Sequence, residues 1–554
     1  MKEKLLIYQV FTRLYGNRNT TRTENGTLAE NGCGKMNDFS PKALKQIAEL
    51  GMTHIWYTGI IRHATQTDYT RYGIPANHPA VVKGKAGSPY AITDYYDVDP
   101  DLAVDVDKRM QEFEQLVERT HKAGLKVIID FVPNHVARQY HSVCKPEDVE
   151  DLGADDDPEQ GFDPQNNFYY CPGQRFDPYF DLYHGQQEPY IEEPAKATGN
   201  DHFDNAPSKT DWYETVKLNY GVDYYAGRIG YFSPIPSTWL KMTEILLFWA
   251  SKGVDGFRCD MAEMVPADFW RYATGIVKQE YDNLIFIGEV YNPYEYRRYL
   301  ASGFDYLYDK VGMYDTMRSV ICHNAPTSAI TGAWQQTDDI RDQMLYFLEN
   351  HDEQRIASDF FAGSAQKGMP ALIASVLMQQ NPFMLYAGEE YGERGMDREG
   401  FSGNDGRTTI FDYWSVDTLC RAAWKTLKAD ERRLYELHQK VFAIARKEKA
   451  VANGSFFDLM YVNGHLDRQY VFLRKAGSDL LLIAVNFDDR PVSIGVNLPA
   501  HAFDFLSIPE KKAIATDLLS GEKQSLELVK DGCVALKLES RGGSVWKINA
   551  SKRK

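Results

Sequence analysis

Arg258 and Asp260 close the stretch Gly253-Val254-Asp255-Gly256-Phe257-Arg258-Cys259-Asp260. Val254 and Phe257 favour a strand, and the two glycines let neighbouring backbone approach closely. On a strand, residues two apart point to the same side. A guanidinium beside a carboxylate keeps that carboxylate ionised and fixes its direction, which suits a nucleophilic Asp. Taken alone, the pair reads equally as an ordinary buried ion pair.

Three other apolar segments end in groups of the same kind. One contributes Asp130, Asn134 and His135, a second Glu289, and a third Glu349, Asn350, His351 and Asp352. Carboxylates gathered at one rim repel unless something pairs or uses them. Two of them across a cleft suit glycosidic bond cleavage: one attacks or stabilises the sugar cation, the other protonates the leaving oxygen. Phe286, Ile287 and Gly288 precede Glu289 and predict an apolar setting that raises its proton affinity. Arg258 predicts an ionised Asp260. The competing use of the cluster is a metal site built from Asp260, Glu289, Asp352 and His135, against which Arg258 argues as a rival cation.

Such residues need elements that bring them together. Apolar strands are predicted near 5–11, 54–60, 126–132, 254–260, 284–290, 304–308, 346–352 and 383–390, alternating with helical periodicity. The helix over 41–50 carries Ser40 as its N-cap and Gly51 as its stop. Eight such units predict an α/β fold, a closed parallel (β/α)8 TIM barrel, with an open doubly wound sheet as the alternative. The alternation breaks over 136–218, rich in Asp, Pro, Gly, Asn and Tyr, which predicts an irregular insertion domain after the third strand. From 451 short alternating runs predict a C-terminal antiparallel β-sandwich domain. The expected division is a catalytic barrel over 1–135 and 219–450, an insertion over 136–218 and a sandwich over 451–554.

Composition narrows the partners. A net charge of −16 disfavours nucleic acid and anionic membrane and favours a neutral or cationic ligand. Seven scattered cysteines contain no CxxC pair, which predicts reduced thiols in a cytoplasmic protein rather than zinc or redox chemistry. No signal segment or apolar run of membrane-spanning length is read, and no cofactor is needed for the chemistry.

The segments around these residues resemble the α-amylase family, glycoside hydrolase family 13. Val127-Ile128-Ile129-Asp130-Phe131-Val132-Pro133-Asn134-His135 is similar to its first signature and Gly256-Phe257-Arg258-Cys259-Asp260 to its second. Ile287-Gly288-Glu289-Val290 resembles the third, Glu349-Asn350-His351-Asp352 the fourth, and Lys217-Leu218-Asn219 the fifth. The resemblance implies retaining cleavage of α-1,4-glucosidic bonds in maltodextrins, starch or glycogen through a covalent glycosyl-enzyme. Asp260 would be the nucleophile, Glu289 the general acid and then base, and Asp352 the third carboxylate that grips sugar hydroxyls. Arg258, His135 and His351 would line the subsite of the attacked glucose, and Tyr90 would stack on it. Asp130 would orient its neighbours.

The same resemblance leaves alternatives. Lys217-Leu218-Asn219 resembles the neopullulanase and cyclomaltodextrinase branch, and an α-glucan transglycosylase shares the scaffold. A non-catalytic relative is the remote reading, against which all three carboxylates stand. Many α-amylases carry Lys-His shortly after the nucleophile, where this chain has Met261-Ala262-Glu263-Met264. The family's structural calcium site uses an Asn at the place of Asn134, for which Asp155, Asp156 and Asp157 are candidate partners.

Overall fold

The computed structural model describes residues 3–182, 188–396, 398 and 404–550. Its centre is a closed barrel of eight parallel strands, numbered here in chain order: β1 (Leu6–Phe11), β2 (His54–Thr58), β3 (Lys126–Phe131), β4 (Gly256–Cys259), β5 (Ile285–Gly288), β6 (Tyr306–Tyr308), β7 (Met344–Phe347) and β8 (Phe383–Tyr386). Each strand neighbours the next, and β1 closes the ring against β8, with Leu6 opposite Phe383. Ile7, Trp56, Ile128, Ile287, Tyr308, Leu345 and Met384 form one buried cluster. They come from seven different strands, as expected for the inward-facing layers of a packed barrel.

Helix α1 (Pro41–Leu50) connects β1 to β2. Ser40 Oγ caps it by accepting from the Ala43 amide, Pro41 occupies its first turn, and Gly51 stops it at φ +111°. Helix α2 (Arg109–Lys122) has no side-chain cap of its own. Asp105 caps a preceding 3-10 turn instead, Val106–Lys108. Helices α3 (Ser237–Ser251) and α4 (Ala267–Glu280) flank β4 in the chain. Helix α5 (Tyr296–Leu300) follows β5, and two short helices absent from the expectation, α6 (Asp315–Ile321) and α7 (Ser328–Gln336), precede β7. Helix α8 (Met369–Leu377) is buried along its whole length. It lies between the barrel and the C-terminal sheet, which explains its uniformly apolar sequence. Helix α9 (Ala429–Lys447) ends the βα series.

Between β3 and α3 the chain is mostly irregular, with Tyr170–Cys171 pairing Ala195–Lys196. Its neck is an antiparallel ladder of His135–Ala137 with Thr215–Lys217, which sets Lys217 opposite His135. The C-terminal strands are β9 (Ser455–Asp458), β10 (Gln469–Ala476), β11 (Asp479–Asn486), β12 (Val492–Leu498), β13 (Lys511–Asp517), β14 (Lys523–Leu528), β15 (Gly532–Leu538) and β16 (Gly542–Asn549). Six form one sheet in the order β9-β10-β11-β16-β13-β14, and β12 pairs with β15. Of the expected architecture, the barrel and the antiparallel C-terminal unit are present.

Candidate active site

Strands β4 and β5 end one residue before their acids. Asp260 and Glu289 nevertheless continue the ladder, because the Asp260 amide donates to Phe131 O at 2.9 Å and the Glu289 amide to Cys259 O at 3.1 Å. Both side chains therefore rise from a rigid rim. Strand β7 ends earlier than expected, at Phe347, so Glu349 to Asp352 lie beyond it. The cause is Asn350, whose Oδ1 accepts from the amides of Asp352 and Glu353, both at 2.9 Å, and turns the chain.

Arg258 stands at the middle of the cluster and is 1 % exposed. Its Nη1 donates to Asp260 Oδ1 at 2.7 Å and lies 3.5 Å from Asp130 Oδ1. Its Nη2 is 2.9 Å from Glu289 Oε2, and its Nε donates to the Tyr308 hydroxyl at 3.2 Å. The guanidinium also faces the rings of Trp56 and Tyr90, at 5.1 and 5.6 Å from their centroids. The pairing expected with Asp260 is present, and Arg258 also reaches Glu289 and Asp130.

Burial pushes the Asp260 carboxyl well above the ordinary range, Arg258 opposes this, and Glu289 adds to it. Asp352 is pushed up to about 7 by burial and then by Glu289. Asp130 is pushed up to about 6 by burial, against Arg258 and the Trp56 indole, which donates at 2.9 Å. One cation among four carboxylates leaves a deficit of positive charge. The predicted ionised Asp260 is thus opposed by desolvation, which one ion pair does not fully offset.

Glu289 is buried, and its carboxyl oxygens take two donors besides Arg258. The Tyr291 hydroxyl donates to its Oε1 at 2.6 Å, and the Met261 amide donates to its Oε2 at 2.7 Å. Met261 is left-handed, at φ +43°, a conformation costly for a non-glycine residue. That turn aims the amide following Asp260 at Glu289.

The remaining expected residues form a chain of contacts. Gln9 Nε2 meets His351 Nδ1 at 2.7 Å, His351 Nε2 lies 2.5 Å from the Tyr90 hydroxyl and 3.1 Å from Asp352 Oδ2. Burial, and then Arg258, push the His351 imidazole well below its ordinary range, so it is neutral. His135 hydrogen-bonds the Tyr90 backbone, lies 5.2 Å from the Trp212 ring, and is pushed down to about 3 by burial and then by Lys217. Glu349 leaves the group: it pairs with Arg355 at 2.9 Å and accepts from the Ile356 amide, a structural anchor under the rim.

The family described as "Alpha amylase, catalytic domain" matches residues 9–435. The chain belongs to this family. It is 26 % identical over 394 residues to Alpha-amylase 3 of Dictyoglomus thermophilum, covering 66 % of this chain and 68 % of that protein. It is 24 % identical over 494 residues to Alpha-amylase MalA of Haloarcula japonica, covering 86 % of this chain and 54 % of that one. The fold is that of a maltogenic α-amylase AmyB from Thermotoga neapolitana, with TM-score 0.63, 20 % identity and 99 % of each chain covered.

Asn134 Oδ1, the atom a calcium ion would take, accepts from the Lys217 ammonium at 2.5 Å. That ammonium is 2.7 Å from Asp201 Oδ1, and Asn134 Nδ2 donates to Gly199 O at 2.7 Å. A dication would be repelled by the buried ammonium, so these residues do not fit calcium. Asp156, another candidate, accepts from the amides of Asn167 and Phe168 and from the Tyr170 hydroxyl. Asp94, Asp97 and Cys144 have metal-like separations, yet Arg62 lies 3.2 and 3.1 Å from the two carboxylates and Arg109 2.6 Å from Asp97.

Sequence reasoning missed Gln9, Trp56, Tyr291 and Tyr308. Gln9 and Trp56 carried a usable signal, being polar or hydrogen-bonding side chains inside runs that are otherwise apolar.

Proposed function

We propose that the protein is a retaining glycoside hydrolase of α-1,4-glucans, with Asp260 as nucleophile and Glu289 as acid and then base. The observation that carries this reading is Arg258 reaching Asp260 at 2.7 Å and Glu289 at 2.9 Å within one buried cluster at the barrel rim. Asp260 Oδ attacks C1 as Glu289 protonates the leaving oxygen, giving a glycosyl ester and a free chain end. Glu289, now a carboxylate, takes a proton from water, whose oxygen attacks C1 and frees Asp260. Asp352, beside neutral His351, hydrogen-bonds sugar hydroxyls, and Tyr90 supplies a ring for stacking. No step requires a metal or another cofactor.

A neopullulanase-like reading, including transfer to a sugar acceptor, is favoured by Lys217 in Lys217-Leu218-Asn219 and by a 21 % identical relative named Neopullulanase 2, from Thermoactinomyces vulgaris. Maltoheptaose digestion separates the two: products longer than the input indicate transfer. The partner is an α-glucan chain. Among the described residues no helix is long and apolar enough to cross a membrane, and the seven cysteines are unbridged, which supports a reducing, cytoplasmic setting.

The assignment is tested with Asp260→Asn and Glu289→Gln. Each is expected to fold with an unchanged unfolding temperature to within about 3 °C and to lose about 10⁴-fold in kcat on maltodextrin. Retained activity in either variant removes the assignment.

A further inference from the structure

The carboxyl group of Glu289 has two unlike oxygens. Oε2 receives the Met261 N–H at 2.7 Å and lies 2.9 Å from Arg258 Nη2. Both neighbours are permanent donors, so a proton on Oε2 would face an N–H and a guanidinium with no acceptor between them. Oε1 receives only the Tyr291 hydroxyl, at 2.6 Å. A hydroxyl is a donor and an acceptor and can turn between the two roles. The proton that Glu289 gives away therefore belongs on Oε1.

Tyr291 itself is fixed. Its ring packs against the barrel's inner cluster of Ile7, Trp56 and their neighbours, and it stands two residues after Glu289 beyond β5. Burial, followed by the charge of Glu289, pushes its hydroxyl well above the ordinary range, so it stays protonated throughout the working pH. It can supply a hydrogen bond and is no source of a second catalytic proton.

From this geometry we infer that Tyr291 is a positioning residue for proton transfer: its hydroxyl turns to donate to Glu289 Oε1 as that oxygen loses its proton to the glycosidic oxygen. The inference rests on the reading of Glu289 as the acid. The step balances simply. The Oε1–H bond breaks as the bond from that hydrogen to the glycosidic oxygen forms. The C1–O bond breaks as Asp260 Oδ bonds C1. The electron pair left on Oε1 is met by the Tyr291 O–H. In the second half, the same hydroxyl turns back when water returns a proton to Oε1. A hydrogen bond that strengthens as charge appears lowers the barrier, whereas one of constant strength does not.

The prediction is a dependence on the leaving group. Tyr291→Phe keeps the ring and its packing and removes only the hydroxyl. On maltodextrin, whose alkoxide leaving group needs a proton, kcat is expected to fall about tenfold with KM unchanged within about twofold, the worth of one hydrogen bond to a charged group. On α-maltosyl fluoride, whose fluoride leaves with little help from a proton, formation of the glycosyl-enzyme is expected to slow less than about twofold. Glu289→Gln on the same two substrates, with only the burst of leaving-group release that precedes hydrolysis of the glycosyl-enzyme being read, separates the layers. If that variant spares the fluoride and loses maltodextrin, Glu289 is the acid, and an equal loss on both substrates by Tyr291→Phe then overturns the positioning role alone. If Glu289→Gln loses both equally, the acid assignment fails and the inference falls with it. Full activity of Tyr291→Phe on maltodextrin also overturns it.

Discussion

Arg258 and Arg474 are both about 1 % exposed and lie at opposite ends of the barrel. Arg258 stands where the strands end. Arg474, on β10, donates to Met378 O at 2.7 Å, just before β8 begins, and to the carbonyls of Ala450, Val451 and Gly454. One guanidinium meets carboxylates and the other meets only backbone dipoles. Burial alone pulls an arginine down, but the carboxylates around Arg258, Glu289 first, outweigh it and raise that group. Arg474 has no carboxylate in hydrogen-bond contact; burial, followed by repulsion from Arg341, lowers it to about 9, and the charge of Asp342 opposes this only in part. The difference teaches what a buried charge is for. Arg474 is a clamp that ties the barrel floor to the segment entering the C-terminal sheet. Arg258 shares its positive charge among Asp260, Glu289 and Asp130. Carbonyls can satisfy N–H groups but cannot neutralise charge, so the clamp carries an electrostatic cost and Arg258 spreads one positive charge over several negative ones.

The sharpest way to break the comparison is to remove each cation. Arg258→Met leaves Asp260, Glu289 and Asp130 facing one another without a counter-charge. Activity on maltodextrin is expected to fall about 10³-fold. The acid limb of kcat/KM should move to higher pH, because a lost cation makes each carboxylate hold its proton more tightly. An unmoved limb would separate Arg258 from the ionisation of the cluster. Arg474→Met should do the reverse. It leaves four buried carbonyls without a donor, and unfolding free energy should drop by about 3 kcal/mol or more, while kcat of the folded fraction stays within about twofold. Urea unfolding with activity measured below the transition checks both halves.

A third buried cation refines the contrast. Lys217 bonds Asn134 across 83 residues of sequence and joins the barrel to the irregular segment. It has one carboxylate, Asp201, and so lies between the other two in charge balance. A chelator such as EDTA is expected to change neither activity nor unfolding temperature. Lys217→Met should lower stability by about 2 kcal/mol and leave Asn134 Oδ1 unpaired. If chelation lowers the unfolding temperature and calcium restores it, a metal takes part after all.

These contacts also mark where the sequence is legible. The barrel follows from eight apolar runs that end in polar residues, because strand burial and strand-end chemistry leave marks within a few neighbouring positions. Asp260, Glu289 and Asp352 are visible for the same reason. The hydrogen bonds that tune them are not. Tyr291 is local to Glu289 yet reads as another aromatic, since direction off a strand end depends on the loop. Tyr308 reaches Arg258 only through the order of β4, β5 and β6 around the ring. Lys217 meets Asn134 through the ladder that sets it opposite His135, a register no local pattern encodes. The two short helices α6 and α7 run for only about two turns each, too few for a helical period to stand out in the sequence. Glu349 shows the opposite error, a carboxylate with the expected position whose partner, Arg355, belongs to the framework.

The smallest effect concerns what the catalytic end gives up in stability. Asp352 is the least buried of the three acids, its side chain 33 % exposed, and is held up to about 7 against an ordinary 3.8. Between those values the folded protein keeps the proton and the unfolded chain has lost it. The folded state then binds more protons, so this group's contribution to stability falls as pH rises through that window and is fully unfavourable above it. Asp352→Asn removes the titration. The difference in unfolding temperature, variant minus parent, should grow from near zero at pH 4 to about 2 °C at pH 8, kept small by solvent screening at a partly exposed group. The difference is the right readout. The parent's absolute curve also contains His54, His63 and His135, each lowered to about 3 by burial, and these act in the opposite direction, adding stability as pH rises toward the ordinary histidine value. They are common to both proteins and cancel. A difference that stays flat across pH would mean that Asp352 is already ionised at acid pH, and that Arg258 reaches further across the rim than its contacts with Asp260 and Glu289 indicate.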